Sequence, residues 1–133
     1  MDVHEQIRAF LDGDAFAVAG ASADRAKYGN KVLRCYLQRG RTAFPVNPHE
    51  AEIEGAKAYP DLASLPRAVH GLSIITPPPV TERLVEDAAA VGIAHVWMQP
   101  GAESRRAVER ARELGMNVIS GGPCLLVALG YRE

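Results

Sequence analysis

Between Ala15 and Val32 the chain reads Ala15-Phe-Ala-Val-Ala-Gly20-Ala-Ser22-Ala-Asp-Arg25-Ala-Lys27-Tyr28-Gly29-Asn30-Lys-Val32. An apolar run ends at Gly20, small polar residues follow, and a helical pattern opens near Gly29. These residue types at this spacing suit the capture of an anion. The first N–H groups of a helix have no intrahelical partner, and the aligned peptide dipoles make that end positive. A strand that feeds a small-residue loop and then a helix gathers several such N–H groups at one point, and such a site holds phosphate. Gly20 permits close backbone approach, Ser22 adds a hydroxyl, Arg25 and Lys27 add positive charge, and Gly29 and Asn30, just after Tyr28, stand at the helix start. The loop is neither a G-x-G-x-x-G fingerprint nor a P-loop, because the third glycine and the Gly-Lys-Ser/Thr ending are missing. It is longer than a tight dinucleotide turn, which suits a bulkier or more highly charged phosphate group. A solvated loop with incidental charges is the plain alternative.

Two further strand exits bear on the choice of ligand. Phe44-Pro45-Val46-Asn47-Pro48 has no carboxylate before Glu50, whereas an NAD site usually places an Asp or Glu there for the ribose hydroxyl. The prolines fix the backbone and offer either an apolar ledge for a ring or simply a rigid exit. Thr76-Pro77-Pro78-Pro79 gives a second wall, with Thr76 held extended by the proline that follows it. It also reads as a helix start with proline in the first turn.

Other reactive residues form no constellation. His4, His49, His70 and His95 lack the paired spacing of a metal site, and only His49 stands near a strand exit on the side of the first loop. His70 and His95 precede strands and read as surface residues at the opposite end. Cys124 follows Gly-Gly-Pro at a helix start, where the dipole favours thiolate, but it also reads as a small buried residue. Cys35 and Trp97 read as core, and Arg105, Arg106, Arg110 and Arg112 as a solvated helix face. No nucleophile with a base and an orienting partner can be assembled, so the residues point to binding rather than catalysis.

The elements that must position these loops alternate. Helices are expected over Val3–Leu11, Gly29–Arg39, Val80–Val91, Glu103–Leu114 and Leu125–Leu129. Strands are expected over Ala15–Ala19, Thr42–Val46, Gly71–Ile75, Ala94–Met98 and Met116–Ile119. Ala51–Pro66 reads as a loop with a helical turn at Asp61–Leu65. Apolar strands separated by amphipathic helices argue for a parallel sheet covered on both faces. The fold class is therefore α/β: a doubly wound, five-stranded parallel Rossmann-like sheet. Ligands bind such sheets outside the carboxyl ends of the strands, where strand order reverses.

The 133 residues suit a single domain over 1–133, and 47% hydrophobic with 23% charged residues is an ordinary soluble balance. A net charge of −1 supplies no global field for nucleic acid or an acidic membrane. Two distant cysteines fit free thiols in a reducing compartment. With no signal peptide pattern, the expected location is cytoplasmic.

Six stretches carry a family resemblance: Val18–Ser22, Tyr28–Asn30, Pro45–Pro48, the Gly55 and Tyr59 to Asp61–Leu65 segment, Ile75–Pro79 and Val96–Gly101. Together they resemble the small, single-domain CoA-binding proteins. Those proteins are similar in fold to the N-terminal CoA-binding domain of the succinyl-CoA synthetase α subunit and of ADP-forming acyl-CoA synthetases. The resemblance implies coenzyme A or an acyl-CoA as ligand. Gly20, Ala21 and Ser22 would then meet its diphosphate, with Lys27 and Arg25 neutralising charge. Pro45 and Asn47 would border the nucleotide, and Thr76, Pro77 and Pro78 would line the adjoining channel. The family often ends its fifth strand with Asp-Arg-Cys, where this chain has Ser120-Gly-Gly-Pro-Cys124. The phosphorylated histidine of the larger synthetases lies in a later domain and is expected outside this chain. An NAD(P)-binding redox enzyme or sensor, and a detached subunit of an acyl-CoA synthetase, are the alternatives. A protein partner or a homo-oligomer stays open.

Overall fold

The computed structural model describes residues 1–133. Five parallel strands form the main sheet: β1 Ala15–Ala19, β2 Thr42–Val46, β5 Gly71–Ile74, β6 His95–Met98 and β7 Asn117–Ile119, in the order β2-β1-β5-β6-β7. The helices are α1 Val3–Leu11, α2 Tyr28–Gln38, α3 Pro78–Ala90, α4 Arg105–Glu113 and α5 Leu125–Leu129. Strand order reverses between β1 and β5, so the crevice of the doubly wound fold opens at their carboxyl ends.

Alternation along the strands sorts the core into two layers. Ala15, Ala17 and Ala19 of β1, with Leu72, Ile74, Val96 and Met98, pack toward Val85 and Ala88 of α3 and Ala107 and Ala111 of α4. Phe16 and Val18, with Trp97 and Ile119, pack toward α1, α2 and α5 through Phe10, Val32, Leu33, Tyr36 and Leu125. The small residues of β1 let α3 and α4 lie close, and the large ones fill the opposite face. Phe10, Phe16 and Tyr36 stack in series, with ring centroids 5.4 and 4.9 Å apart, and Trp97 meets Phe10 edge-on at 5.3 Å. Trp97 and Cys35 are wholly buried, as core residues should be. The one buried hydroxyl pair, Tyr36 with Ser73 at 2.6 Å, satisfies itself.

Capping sets the helix starts. Asp2 accepts from Glu5 N at 2.9 Å to open α1, and Ser104 accepts from Ala107 N at 3.1 Å to open α4. α3 begins at Pro78, two residues before the apolar spacing suggests, because proline is already set for the first turn.

Two expectations are corrected here. The stretch read as loop from Ala51 to Pro66 contains a hairpin of β3 Glu52–Ile53 and β4 Ala56–Lys57, followed by a 3-10 turn at Leu62–Ser64. Its turn places Glu54 at φ 51° and Gly55 at φ 78°, the twist that a two-residue hairpin needs. Beyond it, Tyr59 extends the sheet past β2: its N–H donates to Pro45 O at 3.0 Å, and its carbonyl accepts from Asn47 N at 2.9 Å. Secondly, His70 and His95 do lie at the amino ends of their strands, yet they are half-buried rather than surface residues. Their rings stack at 4.2 Å. A Cβ on Gly13 would strike the His70 ring at 2.1 Å, so that glycine makes the room. His70 Nε2 bonds Ala9 O at 2.8 Å and pins α1.

Asn117 Nδ2 donates to Gln6 O at 3.0 Å and also faces His95 Nδ1 at 3.1 Å. That geometry makes Nδ1 an acceptor and His95 neutral. Burial chiefly, and the neighbouring His70 secondarily, hold the His95 imidazole below its ordinary value of 6.5. The unfolded chain then takes up the proton first. The stability contributed by neutral His95 is present above pH 6.5 and is lost as pH falls through the lower folded value. Urea midpoints between pH 8 and 5 (a window of about that width) should therefore fall more steeply for the natural protein than for His95→Gln. Equal slopes would show that His95 is not the titrating group. No helix is long and apolar enough to cross a membrane.

Candidate functional site

A cleft of about 420 Å³ opens at the carboxyl ends of β1 and β5. Gly20, Ala21 and Ser22 line it from the loop, Lys27, Tyr28 and Gly29 from the start of α2, and Asn47 and Ile75 from the ends of β2 and β5. A larger depression between α3 and α4 is walled mainly by opposed Arg and Glu side chains and shares no residue with the cleft.

Two glycines shape the cleft. Gly20 has φ 91°, and a Cβ there would lie 2.2 Å from Ile75 O. A Cβ on Gly29 would lie 1.9 Å from Gly20 O. The start of α2 is thereby pressed against the exit of β1. No side chain caps α2, so the N–H groups of Tyr28, Gly29 and Asn30 form no bond within the protein and lie beside Ser22. Ser22 Oγ accepts from Asp24 N at 3.1 Å, which leaves its proton available to a ligand.

Asn30 and Asn47 act beneath this surface. Asn30 is wholly buried. Its Nδ2 donates to Ser22 O at 2.8 Å and to Glu54 Oε2 at 3.1 Å, and its Oδ1 accepts from Arg34 Nε at 2.7 Å. Asn47 Nδ2 donates to Ala21 O at 2.9 Å, while its Oδ1 accepts from the N–H of His49 at 2.7 Å and of Glu50 at 3.2 Å. The two carbonyls that would repel a phosphate are each engaged by an amide.

The remaining residues singled out in the sequence separate. Lys27 reaches the cleft and makes no ion pair, whereas Arg25 pairs with Glu54 at 3.3 Å and stands outside the lining. Pro45 is buried within β2, in register with Val18. Thr76 bonds Thr81 through their hydroxyls at 2.8 Å. Pro77 and Pro78 form the N-cap and first residue of α3, two and three residues beyond Ile75. The His49 side chain is exposed and forms no hydrogen bond.

The loops at the strand ends that hold Glu54 (Asn47–Lys57) and Gln99 (Gln99–Glu103) are indicated by the rule for ligand binding in such sheets, but the sequence gives no individual role to Ile75, Glu54 or Gln99. Tyr28 Oη donates to Gln99 Oε1 at 3.1 Å and also contacts Cys124 Sγ. Burial first, and the Cys124 contact next, push the Tyr28 phenol above its usual value, so it stays a neutral donor. Cys124 itself is the N-cap of the short α5. The signal for Gln99 was a polar residue closing an apolar strand, Val96-Trp97-Met98-Gln99.

A parallel Rossmann-like sheet with free helix-start amides, a hydroxyl and an unpaired ammonium at its switch point defines an α/β domain suited to an anionic nucleotide. The chain belongs to the CoA binding domain family, whose model matches residues 14–130. It is 29% identical over 121 residues to the acetate–CoA ligase (ADP-forming) II subunit alpha of Pyrococcus furiosus, a match covering 83% of this chain and 26% of that protein. The chain thus spans about a quarter of that relative. Among solved structures, a conserved hypothetical protein from Pyrococcus furiosus superposes with a TM-score of 0.81 at 36% identity, covering 86% of this chain and 97% of that one. The dinucleotide-forming acetyl-coenzyme A synthetase 1 of Ca. Korarchaeum cryptofilum, in its apo form, gives a TM-score of 0.70 at 30% identity, covering 79% and 25%. The resemblance to CoA-binding domains of acyl-CoA synthetases, and the Rossmann-like fold it implied, are both borne out.

Proposed function

We propose that residues 1–133 form one CoA-binding or acyl-CoA-binding unit that holds the CoA diphosphate at the first βα loop. The observation that carries this reading is the uncapped start of α2 facing Ser22 and the unpaired Lys27 across one cleft. The amides of Ser22, Tyr28 and Gly29 take phosphate oxygens, with Asn30 holding the loop from beneath, the Ser22 hydroxyl adds a donor, and Lys27 offsets charge. Asn47 borders the nucleotide, with Pro45 buried behind it fixing the exit of β2, and Thr76, Pro77 and Pro78 line the channel beyond Ile75. An NAD(P) ligand suits the site less well. The end of β2 offers Asn47, whose oxygen is already taken by two backbone N–H groups, in place of a carboxylate for the ribose. A second reading has the chain working as a detached subunit of an acyl-CoA synthetase. It draws support from the match to one part of a ligase α subunit, and co-purification of a large partner would favour it.

Calorimetry tests the assignment. Lys27→Ala should weaken CoA binding by about tenfold or more, the loss of one charge-assisted contact of roughly 1.5–3 kcal/mol. Arg25→Ala should matter less, because Glu54 already holds that guanidinium. Equal effects would mean that the ion pair opens to admit the ligand, and no effect of Lys27→Ala would remove that ammonium from the site. NAD or NADP displacing CoA at equal concentration would overturn the choice of ligand.

A further inference from the structure

Gln99 follows β6 at the carboxyl end of the sheet, and its side chain is wholly buried. Its Oε1 accepts from Tyr28 Oη at 3.1 Å and from Leu125 N at 2.9 Å. A backbone N–H can only donate, so the amide is fixed with its oxygen toward Leu125. Nε2 is then buried with no partner. Buried donors without an acceptor are uncommon in folded proteins and call for an explanation. Tyr28, which shares the amide's oxygen, lines the cleft and also meets Cys124. Oε1 and Nε2 hang from one carbon, so the free N–H is adjacent to the oxygen on which the Tyr28 hydroxyl and the Leu125 N–H converge.

We infer that Gln99 is a ligand-binding residue: its Nε2–H takes a carbonyl oxygen from the amide-bearing arm of the ligand once the Tyr28 hydroxyl moves off Cys124. This rests on the CoA reading above. The chemistry on the two sides of Tyr28 is complementary to the two parts of that ligand. The loop amides and Lys27 face a polyanion. Ile75 and the Tyr28 phenol give the same cleft neutral lining, and behind the phenol, outside that lining, lies a single unpaired amide donor. The arm of CoA is a neutral chain with two amide groups, and its carbonyls are the acceptors that such a donor lacks. The Leu125 N–H on Oε1 holds the amide plane in place even as the Tyr28 hydroxyl moves, so the donor is already oriented when the arm arrives.

Two ligands separate the parts: CoA, and 3′-phosphoadenosine 5′-diphosphate, which keeps the diphosphate and lacks the arm. On the isotope-labelled natural protein, the Gln99 side-chain amide resonance should move when CoA is added and stay still with the armless nucleotide. In calorimetry Gln99→Met should bind CoA about tenfold more weakly and the armless nucleotide unchanged, the second result showing that the variant is folded. A resonance that moves equally with both ligands, or unaltered CoA affinity in Gln99→Met, would overturn the inference and leave CoA binding itself standing. If the natural protein bound neither ligand, the CoA reading would fall and this inference with it.

Discussion

Gly29→Ala is expected to abolish measurable CoA binding and to lower stability by about 1–3 kcal/mol or more, the usual cost of forcing atoms into a packed site. The new methyl would sit 1.9 Å from Gly20 O and 2.9 Å from Gly20 C. Both are backbone atoms, so no side chain can swing away. The start of α2 would have to move off the exit of β1, carrying the Tyr28, Gly29 and Asn30 amides out of range of anything held at Ser22. Gly20→Ala adds a second cost, because φ 91° there is a conformation that L side chains rarely adopt, at roughly 1–3 kcal/mol of strain. Gly40→Ala is the control: it shares a positive φ of 68° but has nothing within 4 Å. It should lose only about 1–2 kcal/mol and keep full affinity. Urea denaturation with parallel calorimetry decides the matter. If Gly29→Ala binds CoA as Gly40→Ala does, the close approach of helix and strand is not what builds the site.

Asn30→Asp should be nearly as damaging, although it changes no volume. Asn30 Nδ2 lies between the Ser22 carbonyl at 2.8 Å and the Glu54 carboxylate at 3.1 Å. Only a donor is tolerated between two acceptors. An aspartate would face both with a charged oxygen, freeing the loop that carries Ser22 and loading the Glu54 end with a second negative charge. Leaving one buried group unsatisfied costs about 1–3 kcal/mol, and more when it is charged. Arg34, which already donates to Oδ1, would offset part of that. CoA affinity should fall by about tenfold at least, because the Ser22 carbonyl would no longer be held and the added charge opposes the phosphates. Asn30→Ala removes the donor without adding charge, so it should destabilise less than Asn30→Asp. The reverse order in thermal unfolding would show that Asn30 is acting as an acceptor.

The elements were legible where local pattern and tertiary setting agree. β1, β2, α1 and α5 lie on the bounds that apolar spacing and the following glycines or prolines indicate. The first loop was legible as an anion site because its chemistry is local: Gly20, Ser22, Lys27 and Gly29 fall within ten residues of one another. What stayed hidden depends on partners distant in sequence. The hairpin at Glu52–Lys57 carries no Asn-Gly or Asp-Gly signal, since its left-handed positions are filled by Glu54 and Gly55. Arg25 and Lys27 look alike in sequence, and only Glu54 arriving from that hairpin separates them. Asn30 reads as a helix-start residue at the ligand, while the fold turns its side chain inward to support the loop. His70 and His95 are 25 residues apart, and only parallel pairing of β5 with β6 stacks them. Gln99 needs both Tyr28 and α5 in place before its free N–H can be noticed.

A crystal structure of the protein with CoA at saturating concentration decides where the ligand sits. The diphosphate should lie against the amides of Ser22, Tyr28 and Gly29, with the Lys27 ammonium within ion-pairing distance of a phosphate oxygen. A cleft left empty beside a folded α2, or CoA seated elsewhere on the molecule, would contradict it.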